Sequence, residues 1–212
     1  MITALIVTTA RLLAGAQACW VGCEPSLRQR IYFANHTSHL DFVVLWSALP
    51  PALRALTRPV AGRDYWEPNA LRRYLAARVF QAVLVDRGDA ASPPAANHAT
   101  RVEAAQRTIE RVAQALGTRH SLIVFPEGTR GSGAEVAPFK SGLYHLAQLR
   151  PDVELVPSYL ENLNRILPKG EVLPVPMIGS VTFGTPLPVK PGEACAAFLA
   201  RARAALLDLR PS

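Results

Sequence analysis

Short apolar runs of strand length punctuate this chain at 31–34, 82–85, 121–125, 153–156 and 177–183, and stretches of helical spacing separate them. That alternation restricts the chain to the α/β class, because such runs need cover on both faces of a sheet. Helical patterns are expected after 35–41 as far as Leu49, stopped by Pro50-Pro51, and over 69–80, 141–149 and 194–209. A further helix is expected over 100–116, opened by a Thr100-x-x-Glu103 capping box and closed at Gly117. Residues 90–96 read as a Ser/Pro/Ala linker and 168–176 as an irregular loop. A length of 212 residues, half of them hydrophobic, suits one domain with a sizeable core and excludes global disorder. Three cysteines, Cys19, Cys23 and Cys195, exclude a disulfide scaffold and a Cys-rich zinc module.

The amino-terminal 22 residues are almost free of charge, with Arg11 at their middle. A transmembrane helix with a central Arg costs about 2.5–3.5 kcal/mol on insertion scales. A secretory signal is a poor match, since no basic residue precedes the apolar run. On a helical wheel Ile2, Leu5, Ile6, Leu12, Leu13, Ala16 and Trp20 share one arc, with Arg11 opposite. Two readings fit: a helix lying in a bilayer interface with Trp20 near the headgroups, or one docking its apolar stripe on the protein's own core.

The net charge is +7. Residues 53–87 hold seven Arg against three acids, so that segment alone carries +4. The candidate partners are nucleic acid, an anionic membrane or a phosphorylated small molecule. Nucleic acid is disfavoured, because only Tyr65, Trp66 and Tyr74 interleave with the Arg residues.

Two polar clusters follow apolar runs. Asn35-His36-Thr37-Ser38-His39-Leu40-Asp41 ends the first run, and a loop-to-helix turn there can bring His36 and Asp41 together. His36 then serves as a general base whose tautomer Asp41 fixes. Helix capping by Thr37 or Ser38 and a metal site of His36, His39 and Asp41 are the competing readings. The metal reading lacks a further ligand cluster, since His98, His120 and His145 are scattered. Phe125-Pro126-Glu127-Gly128-Thr129-Arg130 ends the third run and suits an anion cradle, with Lys140 ten residues on from Arg130 as a second cation. An ordinary strand-end turn with a Glu127–Arg130 surface pair is the alternative.

Together the clusters resemble the glycerolipid acyltransferases, whose hallmark is Asn-His-x4-Asp followed roughly 80–100 residues later by Pro-Glu-Gly-Thr-Arg. Both blocks match without substitution. Ala82-Val83-Leu84-Val85-Asp86-Arg87 is similar to the family's intermediate motif, although Gln81 stands where a glycine is common; Val153-Glu154-Leu155-Val156-Pro157 is similar to its last motif. The resemblance implies a mixed central sheet flanked by helices, with 1–22 as a membrane-interface helix and 23–212 as a single acyltransferase domain. It implies that His36 is the base and Asp41 its orienting partner, with no covalent acyl-enzyme. Gly128, Thr129 and Arg130 match residues that hold the acceptor phosphate, Arg87 a second phosphate ligand, and Glu127 an acceptor-site carboxylate that organises Arg130. Lys140 adds to that set.

The implied activity moves an acyl group from acyl-CoA or acyl carrier protein to the sn-2 hydroxyl of 1-acylglycerol 3-phosphate, giving phosphatidate, without cofactor or metal. The expected place is the cytoplasmic face of the inner membrane, peripheral or monotopic, with Arg54, Arg58, Arg63, Arg72 and Arg73 facing anionic lipid or the donor's phosphates. Transfer to another lysophospholipid, a hydrolase in which the base activates water, and a non-catalytic membrane-binding protein are the rival readings.

Overall fold

The computed structural model describes residues 2–14, 17–38, 40–86, 98–131, 135–161 and 179–211. Seven strands form one sheet in the order β1-β7-β6-β2-β5-β3-β4. They are β1 Gln17–Trp20, β2 Arg30–Ala34, β3 Thr57–Gly62, β4 Val83–Val85, β5 Ser121–Val124, β6 Glu154–Leu160 and β7 Ser180–Phe183. Every pairing is parallel except β6 with β7, so the sheet is mixed.

Strand β2 explains the layering. Tyr32 and Ala34 point into one core with Ile123, Val156 and Trp46, while Ile31 and Phe33 point into the other with Leu122, Leu155 and Phe198. A strand buried on both faces needs apolar residues at successive positions, hence the unbroken run. Helices α1 Ile2–Ala14 and α2 Asp41–Ala48 contribute to the first core. Helices α6 His98–Leu116, α7 Gly142–Leu149 and α8 Cys195–Leu207 contribute to the second. Between them in sequence lie the short helices α3 Pro51–Leu56, α4 Arg63–Trp66 and α5 Ala70–Tyr74, the last running into a π turn over Leu75–Val79. Helix α6 starts at His98, so Thr100 lies inside its first turn and not at a capping box. The expected linker at 90–96 and loop at 168–176, with Met177 of the last expected strand, lie outside the described residues.

The amino-terminal segment is not one helix. Helix α1 ends at Ala14, and Gln17–Trp20 forms the edge strand beside β7. Gly15, a poor helix former, follows the last helical residue. Trp20 stacks on Phe183 with ring centroids 4.1 Å apart and packs against the first core. The apolar arc of helix α1 is divided: Ile6 packs against the first core, and other members of the arc face outward. Val7 is buried and Arg11 donates to Ser47 O at 3.3 Å, whereas Leu5 is 67 % exposed and Ile2 43 %. The apolar arc therefore faces outward at both of these positions.

Strand β3 escaped the apolar pattern because it contains Arg58, Pro59 and Gly62. Its ladder changes sides midway: Thr57, Arg58 and Pro59 pair with β5, and Val60, Ala61 and Gly62 with β4. Proline, which lacks an N–H, sits at that changeover. Gln81 takes φ +48, the left-handed region glycine favours, so the backbone there keeps a glycine-type turn.

Asn35 locks the end of β2 to β6. It is buried; its Nδ2 donates to Leu160 O at 2.9 Å, and its Oδ1 accepts from Leu160 N at 2.8 Å. The side chain thus replaces one peptide of the ladder. Asn35→Ala leaves both Leu160 groups unpaired, and urea denaturation should show a loss of about 2–4 kcal/mol.

Candidate active site

Strands β2 and β5 are parallel neighbours in the middle of the sheet, with Phe33 opposite Val124. Their carboxyl ends therefore emerge side by side, carrying the Asn35–Asp41 loop and the Pro126–Arg130 loop. Residues distant in sequence meet there for a topological reason.

Helix α2 begins at Asp41, and the preceding loop wraps its carboxylate. Asp41 is fully buried, and its Oδ2 accepts from Thr37 N at 2.6 Å and Ser38 N at 2.8 Å. The same oxygen lies 2.8 Å from His36 Nδ1. With two backbone donors already fixing that oxygen as an acceptor, the neutral ring carries its proton on Nδ1 and its lone pair on Nε2. Burial pushes the Asp41 carboxyl above the ordinary carboxylate range, and the His36 and backbone hydrogen bonds pull it back. The imidazole stacks on Phe125, 4.3 Å between centroids, which fixes its plane. Ser38 is buried, and its hydroxyl accepts from Leu40 N at 3.2 Å. His39 lies outside the described residues, and no group of three possible metal ligands occurs among those described.

The second loop is welded to the first by Glu127. This buried carboxylate accepts from His36 N at 2.7 Å through Oε1 and from Ala137 N at 2.8 Å through Oε2. Gly131 N donates back to His36 O at 2.8 Å. Glu127 is therefore spent on the backbone donors of His36 and Ala137; the pairing with Arg130 that the sequence suggested is not among the described contacts. Gly128 has φ +72, and a Cβ there would sit 2.8 Å from Lys140 Cε and Nζ. The missing side chain is what lets Lys140 lie across the turn.

A chamber of about 300 Å³ opens over these groups. His36, Gly128, Arg130 and Lys140 line it together with Phe42, Tyr65 and Trp66. Thr129 is exposed beside it and is not on its wall. Arg87 lies outside the described residues, just past Val85, which does line the chamber. Sequence reasoning missed the wall made by Val60, Ala61 and Gly62, because β3 carried no strand signal. A second, apolar cavity of about 230 Å³ adjoins across Val60, Val124 and Phe125, with Ile109, Val112, Leu143 and Leu146 on its far side.

Comparisons with known proteins bear on the family and the fold. The Acyltransferase family matches residues 24–161. A 1-acyl-sn-glycerol-3-phosphate acyltransferase of Limnanthes alba is 33% identical over 159 residues, 74% of this chain and 50% of that protein. The corresponding protein of Salmonella typhimurium is 29% identical over 149 residues, 64% of this chain and 51% of its own. The chain thus spans about half the length of these curated relatives. The crystal structure of the 1-acyl-sn-glycerophosphate acyltransferase PlsC from Thermotoga maritima superposes with a TM-score of 0.65. That match covers 98% of this chain and 78% of the other at 20% identity, a likeness of fold. The family match spans most of the chain and both polar clusters: this protein belongs to the acyltransferase family.

Proposed function

We propose that the chain transfers an acyl group from a thioester, acyl-CoA or acyl carrier protein, to the sn-2 hydroxyl of 1-acyl-sn-glycerol 3-phosphate. The observation that carries this reading is one chamber holding a carboxylate-oriented imidazole beside Arg130 and Lys140. His36 Nε2 takes the proton of the acceptor hydroxyl as its oxygen attacks the thioester carbonyl carbon. The tetrahedral intermediate collapses, the C–S bond breaks, and the imidazolium returns its proton to the leaving thiolate. Asp41 holds the ring and balances the imidazolium charge during the step. Arg130 and Lys140 offer the acceptor phosphate two cations, and Arg87 belongs to the same set. The adjoining apolar cavity, between α6 and α7, has the chemistry to hold an acyl chain. No cofactor or metal enters this route.

A phosphorylated lysolipid is amphiphilic, and the outward arc of α1 fits that substrate. Leu5 and Ile2 face away from the protein, the face an interfacial helix lays on a bilayer. Among the described residues no helix is long and apolar enough to cross a membrane. The reading is therefore a chain lying on the membrane surface, on the side where the thioester donors are made.

Purified chain, labelled acyl-CoA and lysophosphatidate test the transfer reading directly. His36→Ala and Asp41→Asn should each lower turnover by roughly 100-fold or more. Arg130→Ala should raise KM for lysophosphatidate while leaving KM for a neutral monoacylglycerol acceptor unchanged. Transfer that is unaltered in the His36 variant, or a phosphate preference untouched by Arg130→Ala, contradicts the assignment. For the interfacial reading, Leu5→Glu should reduce sedimentation with anionic vesicles about tenfold without shifting the thermal midpoint, since the side chain is largely exposed.

A further inference from the structure

A further cavity, about 490 Å³ in volume, lies at the amino end of β3 under the first turn of α1. Thr57 and Arg58 line it, whereas Gly62 at the other end of the strand lines the catalytic chamber. Five residues of strand rise put the two about 16 Å apart.

Three arginines, Arg54, Arg58 and Arg78, line this cavity, and among the described residues no carboxylate does. Arg54 is the informative one. It is only 8 % exposed, its Nη2 donates to Leu49 O at 3.1 Å, and its guanidinium lies 5.6 Å from the centre of the Trp46 ring. Its buried Nε has no hydrogen-bond partner among the described residues. A buried cation without a counter-charge carries a desolvation cost that one carbonyl and one aromatic face offset only in part. Burial and the charge of Arg11 both pull its pKa below the usual arginine value. Arg58 is half committed, with Nε on Gln81 O at 2.7 Å and Nη1 on Ala115 O at 3.3 Å. Thr3 and Ala4 close the remaining side, which brings the unpaired N–H groups of a 13-residue helix to the same space.

We propose that this cavity binds the phosphate group of an anionic phospholipid, at a site separate from the catalytic chamber, and so seats α1 on the membrane. The phosphate supplies the counter-charge that the buried guanidinium lacks and accepts from helix N–H groups and arginine forks together. Ile2 and Leu5, on the outward face of the same turns, give the lipid's chains apolar surface beside its headgroup. The seating role rests on the interfacial reading of α1, whereas the phosphate site itself does not depend on the transfer reaction.

The test titrates dihexanoyl phosphatidate, below its micellar concentration, into the full chain carrying Arg130→Ala, so that the acceptor clamp is disabled. Inorganic phosphate and dihexanoyl phosphatidylcholine are titrated in parallel. Saturable binding of phosphatidate at one site is expected, with neither of the other two matching its affinity. Adding Ala4→Glu should weaken it about tenfold or more, because the new carboxylate occupies the cavity while favouring the helix's first turn. Arg78→Ala should weaken it in the same direction. Equal affinity for inorganic phosphate overturns the lipid assignment, and equal affinity for phosphatidylcholine overturns the requirement for an anionic headgroup. Absence of binding, or binding indifferent to Ala4→Glu and Arg78→Ala, overturns the site. Wild-type turnover separates the two proposals: a chain inactive in acyl transfer that still binds phosphatidate through Ala4 and Arg78 upholds the site alone.

Discussion

The parallel pairing of β2 with β5 is the constraint on which the site depends. Each strand ends in a loop with half of the chemistry, and adjacency in the sheet brings together residues about ninety positions apart in sequence. Side chains then lock what the pairing begins. Asn35 extends the ladder towards β6, and Glu127 and Gly131 bind the main chain of His36 from the other loop. The histidine is therefore fixed at its backbone by one motif, at its ring edge by Asp41 and at its ring face by Phe125. Such over-determination is what a base needs to meet its substrate without reorganising.

Charge is divided between the two ends of the sheet. At the carboxyl ends, Arg130 and Lys140 stand in a chamber with the imidazole of His36, an arrangement suited to holding an anion beside that ring. At the amino end of β3, arginines gather beneath α1 without carboxylates. The outward turn of the apolar arc of α1 and this inward concentration of cations complement each other, because a bilayer surface offers both hydrocarbon and phosphate.

Much of this was legible in the sequence, for identifiable reasons. Doubly buried strands such as 31–34 and 121–124 announce themselves as unbroken apolar runs, and the polar clusters after them mark the carboxyl edge of the sheet. The pairing of His36 with Asp41 was readable as a loop-to-helix turn, although five-residue spacing on a regular helix separates them. What stayed hidden depended on tertiary partners. Strand β3 carries Arg58 and Pro59 and exists because two neighbours each pair with half of it. Strand β1 reads as the tail of an apolar helix, and only its pairing with β7 and the stacking of Trp20 on Phe183 make it a strand. Glu127 looked like a partner for Arg130 because the two are three residues apart; its real partners are main-chain N–H groups, which no side-chain pattern reveals.

The central claim is that the fold delivers His36 as a neutral imidazole with its proton on Nδ1 and its lone pair on Nε2, facing the chamber. Nitrogen-15 NMR of histidine-labelled protein at neutral pH reads this directly. The account predicts a protonated Nδ1 and an unprotonated Nε2 for the His36 ring, a pattern that Asp41→Asn disturbs. An Nε2–H tautomer in the wild-type chain, or a ring sampling both tautomers equally, contradicts it.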